Sequence, residues 1–135
     1  EDLAGAPPFA ALAPALLSLC EGAVLVAHNA PFDLSFLSSE LERAGMDVPA
    51  QASLDTRRVA KAAFPRAASF SLGSLAALLR IEPGRAHRAL DDARTCMRLL
   101  EACAASEAGA SAIRAAGAAT SAATRGRPPF GATHA

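Results

Sequence analysis

Apolar positions in the N-terminal third of the chain alternate between a helical spacing and a continuous run. Residues 8–20 predict a first helix, with an apolar stripe made of Leu12, Leu16, Leu17 and Cys20. Pro14 weakens this prediction for the first turns of the helix. Residues 23–27 are uninterruptedly apolar, which is typical of a strand buried on both faces of a parallel sheet. A second helix is expected from Pro31 to Gly45, with an inward face of Phe32, Phe36, Leu37 and Leu41.

The rest of the chain predicts a weak strand, several helices and a tail. The strand candidate is residues 53–56, and helices are expected over 57–64, 71–79 and 88–105. Beyond Ser106 the periodicity is lost and Ala, Gly, Ser and Thr dominate, so residues 106–135 are expected to be a disordered low-complexity tail. The prediction is therefore an α/β domain over residues 1–105, in the order α-β-α-β-α-α-α.

That order leaves the apolar strand short of neighbours. A strand buried in a parallel sheet needs partners on both edges and helices on both faces. Only one other strand candidate follows it, and the chain begins at Glu1 without a Met. We therefore expect either a partner that completes the sheet or a missing N-terminal segment.

Composition adds two points to this prediction, the clustering of the basic residues and the state of the cysteines. The chain has 13 basic and 13 acidic residues, so its overall charge does not direct it to nucleic acid or membrane. Basic residues still cluster over 57–66 and 80–98, which indicates either a solvated face or a phosphate-binding surface. The three cysteines lack metal-site or disulfide spacing, so we expect reduced, buried thiols in a cytoplasmic protein. No segment approaches the length of a membrane span, and no membrane partner is expected.

The most informative polar motif follows the apolar strand: residues 28–33 read His-Asn-Ala-Pro-Phe-Asp. Asp33 falls in the first turn of a helix, where an acidic residue is also favoured for purely structural reasons. Its position just past the end of a buried strand is where catalytic groups of open α/β sheets gather. His28 and Asn29 lie at the same edge and are candidates for holding a phosphate or a strand terminus. Phe32 fits either the core or a contact with a base.

A second motif opens the last helix and contains two adjacent aspartates. Asp91 shares a polar helix face with Arg94, Thr95 and Arg98, whereas Asp92 shares an apolar face with Cys96, Leu99 and Cys103. A carboxylate that points toward the core needs a cation or another polar partner. Pro83 and Gly84 predict a loop before the helix, and on that loop His87 would suit the role of a general base, although a capping or surface histidine is the commoner case.

Together these residues resemble motifs of the DnaQ-like 3′–5′ exonucleases, in the DEDDh subclass. Residues 28–33 look like the second motif of that family, and His87 with Asp92 matches the third. Residues 54–56 and 71–75 also resemble the connecting segments, so the similarity covers about residues 1–104. It implies an RNase H-like exonuclease fold with a mixed sheet, present here in incomplete form.

The resemblance also implies the chemistry. Asp33 and Asp92 would be metal ligands for Mg²⁺ or Mn²⁺, with two ions in the complete site, and His87 would be the general base for the attacking water. His28, Asn29 and Phe32 would contact the substrate. The expected substrate is the 3′ end of a single-stranded nucleic acid, DNA or RNA, releasing nucleoside 5′-monophosphates. A DNA polymerase subunit is the candidate protein partner.

The first motif of the family, Asp-x-Glu on the opening strand, does not appear in this sequence. Glu1 and Asp2 lie too close to Asp33 to replace it. We therefore predict the C-terminal portion of an exonuclease domain, inactive by itself. The alternative is a non-catalytic module that binds nucleic acid or a polymerase through its basic faces or tail. A helical scaffold with coincidental motifs is the third interpretation.

Overall fold

The structure, a computed structural model, describes residues 4–48, 52–82, 84 and 88–124, without the side chains of 120–124. These residues form helices and strands in the order α-β-α-β-α-α-α-α. The bounds are α1 Phe9–Cys20, β1 Val24–Ala27, α2 Ala30–Arg43, β2 Ala52–Asp55, α3 Thr56–Ala63, α4 Leu72–Leu78, α5 Ala89–Ala104 and α6 Glu107–Thr124. All seven predicted elements are present, and α6 is additional. Within these ranges no helix is both long enough and apolar enough to cross a bilayer.

The two strands form a parallel pair, joined through α2. Their register runs from Val24 opposite Ala52 to Ala27 opposite Asp55. The expectation of a strand buried on both faces is wrong for β1 as described: Val24 is 53% exposed and the other three residues are half-buried. Among the described residues, β2 covers one edge of β1 and nothing pairs with the other. The chain is thus a helix-rich α/β protein with a small sheet.

The main core lies between β2 and the last four helices. Its buried members come from four of these elements and are Leu54, Val59, Ala60, Leu75, Leu99 and Cys103. The helical spacing of Leu99 and Cys103 puts both on the face of α5 that meets α3 and α4. Ser71 caps α4 as predicted, since its hydroxyl accepts a hydrogen bond from the Ser74 backbone N–H at 3.2 Å.

The interpretation of residues 106–135 as a disordered tail is wrong for Glu107–Thr124, which form α6 and pack on α3, β2 and α5. Alanine is the strongest helix former, so an alanine-rich segment needs only a few larger side chains to dock. Ile113 supplies one of these contacts with the core. Gly109 allows α6 to start tightly against α5, because a Cβ there would lie 2.1 Å from the Cys103 carbonyl oxygen. Residues 125–135 are outside the described part.

The predicted inward face of α2 is only partly correct. Leu41 is fully buried and Leu37 half-buried, but Phe32 and Phe36 are exposed. The predicted helix is correct, but the two rings are exposed because no described element covers this part of α2. Of the described elements, α1 packs on α2, and it is helical through Pro14. The three cysteines are free and buried, as expected.

Candidate active site

The carboxyl ends of β1 and β2 are joined by one carboxylate. Asp55 Oδ1 accepts a hydrogen bond from the Asn29 backbone N–H at 2.9 Å and another from the Arg57 backbone N–H at 3.0 Å. The second bond caps α3. The first holds Asn29 in the left-handed region, at φ 74° and ψ 49°, which Asn tolerates better than most residues. Asp55 therefore fixes the turn through which the chain enters α2.

Asp33 follows this turn by four residues and lies in the first turn of α2. Pro31 precedes it at a position where a helix loses no hydrogen bond to proline. The Asp33 side chain is exposed, and its carboxylate has no hydrogen-bond or ion-pair partner among the described residues. The structure thus presents this carboxylate at the edge where the strands end, as the sequence predicted.

His28 uses both ring nitrogens within the chain. Nε2 lies 2.8 Å from the Phe70 carbonyl oxygen and Nδ1 lies 2.9 Å from the Thr56 hydroxyl oxygen. A carbonyl only accepts, so Nε2 carries the proton and, in the neutral ring, Nδ1 accepts from Thr56. His28 therefore links the end of β1 to the start of α3 and to the segment before α4. Contact with a substrate would require it to give up one of these bonds.

Thr56 is the buried centre of this junction. It is fully inaccessible, and its hydroxyl also lies 3.3 Å from the Ala27 carbonyl oxygen and 3.4 Å from Cys96 Sγ. The hydroxyl has one proton and can donate it to one acceptor at a time. Because the contact with His28 Nδ1 is the shortest, we assign the donated hydrogen bond to that contact. Through Thr56, the strand end, α3 and α5 meet at one point.

Cys96 lies next to the strand ends, since its Sγ is 3.4 Å from the Thr56 hydroxyl oxygen. Burial is the largest cause that raises the pKa of the Cys96 thiol, and the negative charges of Asp33 and Asp55 raise it as well, whereas the hydrogen bond between Cys96 and Thr56 lowers it. Asp92 lies four residues earlier on the same helix and hence one turn away on the same face. The face of α5 that carries Asp92 and Cys96 is therefore the one next to the strand ends, the edge after which Asp33 follows.

The two aspartates of α5 differ from the sequence expectation in one respect. Asp91 is not on a freely solvated face: its side chain is 23% exposed and forms an ion pair with Arg94 at 3.5 Å. Gly84 passes so close that a Cβ there would lie 2.5 Å from Asp91 Cγ. Thr95, predicted on the same solvated face, is buried. Gly84 therefore lies against this face, which a helical wheel of α5 alone does not show.

Asp92 is half-buried, and the predicted apolar face that follows it is correct, since Cys96, Leu99 and Cys103 are all buried. Among the described residues its carboxylate has no hydrogen-bond or ion-pair partner. His87 lies outside the described residues, so its predicted role as a base stays a prediction. No group of three or more His, Cys, Asp or Glu side chains within the described ranges is arranged to hold a metal ion.

Of the predicted substrate contacts, Asn29 is exposed at the strand edge and Phe32 is 68% exposed beside Asp33. Both roles stay predictions. The residues that sequence reasoning missed as part of this site are Asp55 and Thr56, which it considered only as strand and cap residues. Both residues lie at the end of the second predicted strand. Because the carboxyl ends of parallel strands share an edge, this position could have predicted that they lie at the site.

The family model described as Exonuclease, RNase_T, matches residues 1–100 of the chain. The match includes Asp33, the Asp55 junction and Asp92. The chain belongs to the DnaQ-like 3′–5′ exonuclease family. Its membership settles the class of the domain, and it agrees with the resemblance that the two motifs carry.

Curated relatives support the same family. The 3′–5′ exonuclease DinG of Staphylococcus epidermidis is 36% identical over 100 residues, which is 74% of this chain and 11% of that protein. The epsilon subunit of DNA polymerase III of Treponema pallidum is 37% identical over 99 residues, 72% of this chain and 46% of that protein. A PolC-type DNA polymerase III of Lactococcus lactis is 38% identical over 81 residues, 60% of this chain and 5% of that protein. The chain therefore spans less than half of these relatives. No solved structure matches it significantly.

Proposed function

We propose that this chain carries part of the active site of a metal-dependent 3′–5′ exonuclease. The enzyme would hydrolyse phosphodiesters from the 3′ end of a single strand and release nucleoside 5′-monophosphates. Family membership supports the reaction class, and the relatives named as 3′–5′ exonuclease or polymerase subunit support a nucleic-acid substrate. A DNA polymerase subunit is the proposed partner and the cytoplasm the proposed location.

One observation carries the assignment of the site. Asp33 follows the carboxyl end of β1, and α5 packs against this strand. Asp92 lies one helical turn before Cys96, whose Sγ is 3.4 Å from the Thr56 hydroxyl oxygen next to the strand ends. Neither carboxylate has a hydrogen-bond or ion-pair partner among the described residues. Carboxylates gathered at one edge of a sheet are stabilised by a cation that they share. In the described part of the chain, no basic side chain forms an ion pair with Asp33 or Asp92.

Asp33 and Asp92 are the residues that would hold Mg²⁺ or Mn²⁺, because carboxylate oxygens are the preferred ligands of these hard cations. When bound, the ions would stabilise negative charge on the attacking and leaving oxygens. Two carboxylates are few for two ions, and the described residues add no third ligand. We propose that an Asp-x-Glu segment, absent from this sequence, supplies the others, so that the chain by itself is inactive.

The remaining roles concern protons and positions. His87 would accept the proton of the attacking water, near neutral pH where an imidazole is a competent base. Asn29 and Phe32, exposed beside Asp33, would contact the terminal nucleotide. His28 would act mainly by holding the strand end in place, given the two hydrogen bonds it already makes.

Calorimetric titration of the purified chain with Mn²⁺ tests the metal site. Weak binding is expected, and it should be lost in Asp33→Asn and in Asp92→Asn. Asp47→Asn is the matched control, since Asp47 is an exposed aspartate outside the site. Binding that survives both site substitutions, or that falls equally in the control, would contradict the proposed ligands.

A 3′-labelled single strand tests the activity. In Mg²⁺ or Mn²⁺ we expect no appreciable shortening of the strand by the chain alone. Shortening that Asp92→Ala abolishes would show that the site is complete without a further segment, and would refute the inactivity of the chain while supporting its active site.

A further inference from the structure

The neutral overall charge of the chain conceals a strongly basic segment. Residues 56–81, which we call the basic segment, contain no Asp or Glu and five exposed cations: Arg57, Arg58, Lys61, Arg66 and Arg80. The rest of the chain therefore carries the opposite net charge. A local potential of this kind acts on a nearby polyanion even when the net charge is zero.

The cations of α3 occupy one side of the helix. At about 100° per residue, Arg57, Arg58 and Lys61 lie within an arc of about 100°. The opposite side carries Val59 and Ala60, which are buried in the core. The helix is thus held by its apolar face, and its basic face is turned outward as a continuous surface.

This basic face begins at the candidate active site. The Arg57 backbone N–H is bonded to Asp55 Oδ1, which also holds the turn before Asp33. In the middle of the basic segment, the Phe70 carbonyl oxygen accepts a hydrogen bond from His28 Nε2, 2.8 Å away. Lys61 lies over the Phe70 ring, with Nζ 5.9 Å from the ring centroid. Hydrogen bonds therefore connect the basic segment to the edge where the strands end.

We infer that the basic face of α3, continued by Arg66, binds the phosphate backbone of the strand whose 3′ end reaches Asp33 and Asp92. This inference rests on the proposed function and adds to it the path of the substrate. Arginine and lysine bind successive phosphates without reading bases, so the contact is independent of sequence. A nucleic-acid strand is favoured over an acidic protein because the surface starts at the carboxylates where the strand must end.

The test uses a fluorescent oligonucleotide and fluorescence anisotropy in EDTA, so that it does not depend on metal binding or on hydrolysis. The variant Arg58→Gln/Lys61→Gln/Arg66→Gln removes three cations of the basic face. The matched control, Arg43→Gln/Arg94→Gln/Arg114→Gln, removes three exposed cations elsewhere and changes the net charge equally. Circular dichroism of both variants checks that they are folded.

Affinity at low salt is expected to fall about tenfold in the first variant, with the slope of log K against log salt reduced by about 2, and to change little in the control. Equal losses in both variants, or no binding by the unmodified chain at low salt, would overturn the inference. Polyglutamate that competes as well as an unlabelled oligonucleotide would also overturn it, in favour of an acidic protein. If the basic face binds the strand but Mn²⁺ binding does not depend on Asp33 and Asp92, the strand-binding surface is supported, whereas the proposed metal site and the path of the 3′ end to it are refuted.

Discussion

The two halves of the molecule are held together in different ways. In the C-terminal region, β2 and α3–α6, apolar side chains are fully buried, including Leu75, Leu99 and Cys103. The N-terminal region, α1, β1 and α2, has Leu41 fully buried but leaves its large side chains Leu19, Val24, Phe32 and Phe36 exposed. Most of the buried apolar side chains therefore lie in the C-terminal region.

This difference matters because Asp33 belongs to the less packed region and Asp92 to the packed one. They are joined by the pairing of β1 with β2, by the packing of Val26 on the main core, and by polar bonds from His28 to Thr56 and Phe70 and from Asn29 to Asp55. The relative position of the two carboxylates therefore depends on hydrogen bonds as well as on apolar packing. Packing should control stability, and the polar junction should control the geometry of the site.

The largest effect is expected for Leu99→Ala, which leaves a cavity in the packed region. Leu99 is fully buried, and such substitutions cost about 2–5 kcal/mol of the free energy of unfolding. Urea denaturation followed by circular dichroism measures the loss. Leu90→Ala is the control on the same helix, since Leu90 is 63% exposed and should cost less than about 0.5 kcal/mol. Similar losses in the two variants would contradict the assignment of the core to the C-terminal region.

A smaller effect is expected at the junction itself, for Thr56→Val. The side chain keeps its shape but loses the hydroxyl that His28 Nδ1, Ala27 and Cys96 share. Leaving buried polar groups without a partner costs about 1–3 kcal/mol. Urea denaturation gives the cost, and nuclear magnetic resonance of the His28 ring reports whether the ring has moved. Thr56→Ser keeps the hydroxyl and should restore the ring signals. Unchanged ring signals in Thr56→Val would show that the junction does not depend on Thr56.

Prediction from the sequence was most accurate for features that depend on residues close together along the chain. The stripe that ends in Leu99 and Cys103 predicted the buried face of α5, and the motif at 28–33 predicted that Asp33 lies in the first turn of a helix just past the end of a strand. Both depend on neighbours along the chain, so periodicity and motif reading recover them.

What the sequence did not predict depends on contacts between distant segments. Phe32 and Phe36 are exposed because no described element covers their part of α2, and the polar face of α5 is partly covered because Gly84 lies against Asp91. The docking of α6 depends on close approach at Gly109, which composition alone presented as low complexity. The role of Asp55 depends on an amide 26 residues away. None of these contacts can be predicted from a local sequence pattern.

The smallest effect on stability, and the sharpest test of the comparison, is expected for Asp55→Ala. The substitution removes the cap of α3, which costs about 1 kcal/mol, and releases the Asn29 amide that fixes the entry to α2. Amide hydrogen exchange should show faster exchange at Asn29 and along the first turn of α2, with the C-terminal core unchanged.

Ser71→Ala is the matched control for Asp55→Ala, because Ser71 caps α4 through the Ser74 amide but has no bond to the N-terminal region. It should lose a similar amount of stability without faster exchange in α2. Asp55→Asn keeps an oxygen acceptor and should largely restore protection at Asn29. If α2 exchanges equally in the Asp55→Ala and Ser71→Ala variants, the Asp55 carboxylate is only a helix cap. The position of Asp33 would then be set by strand pairing and by the contacts of His28.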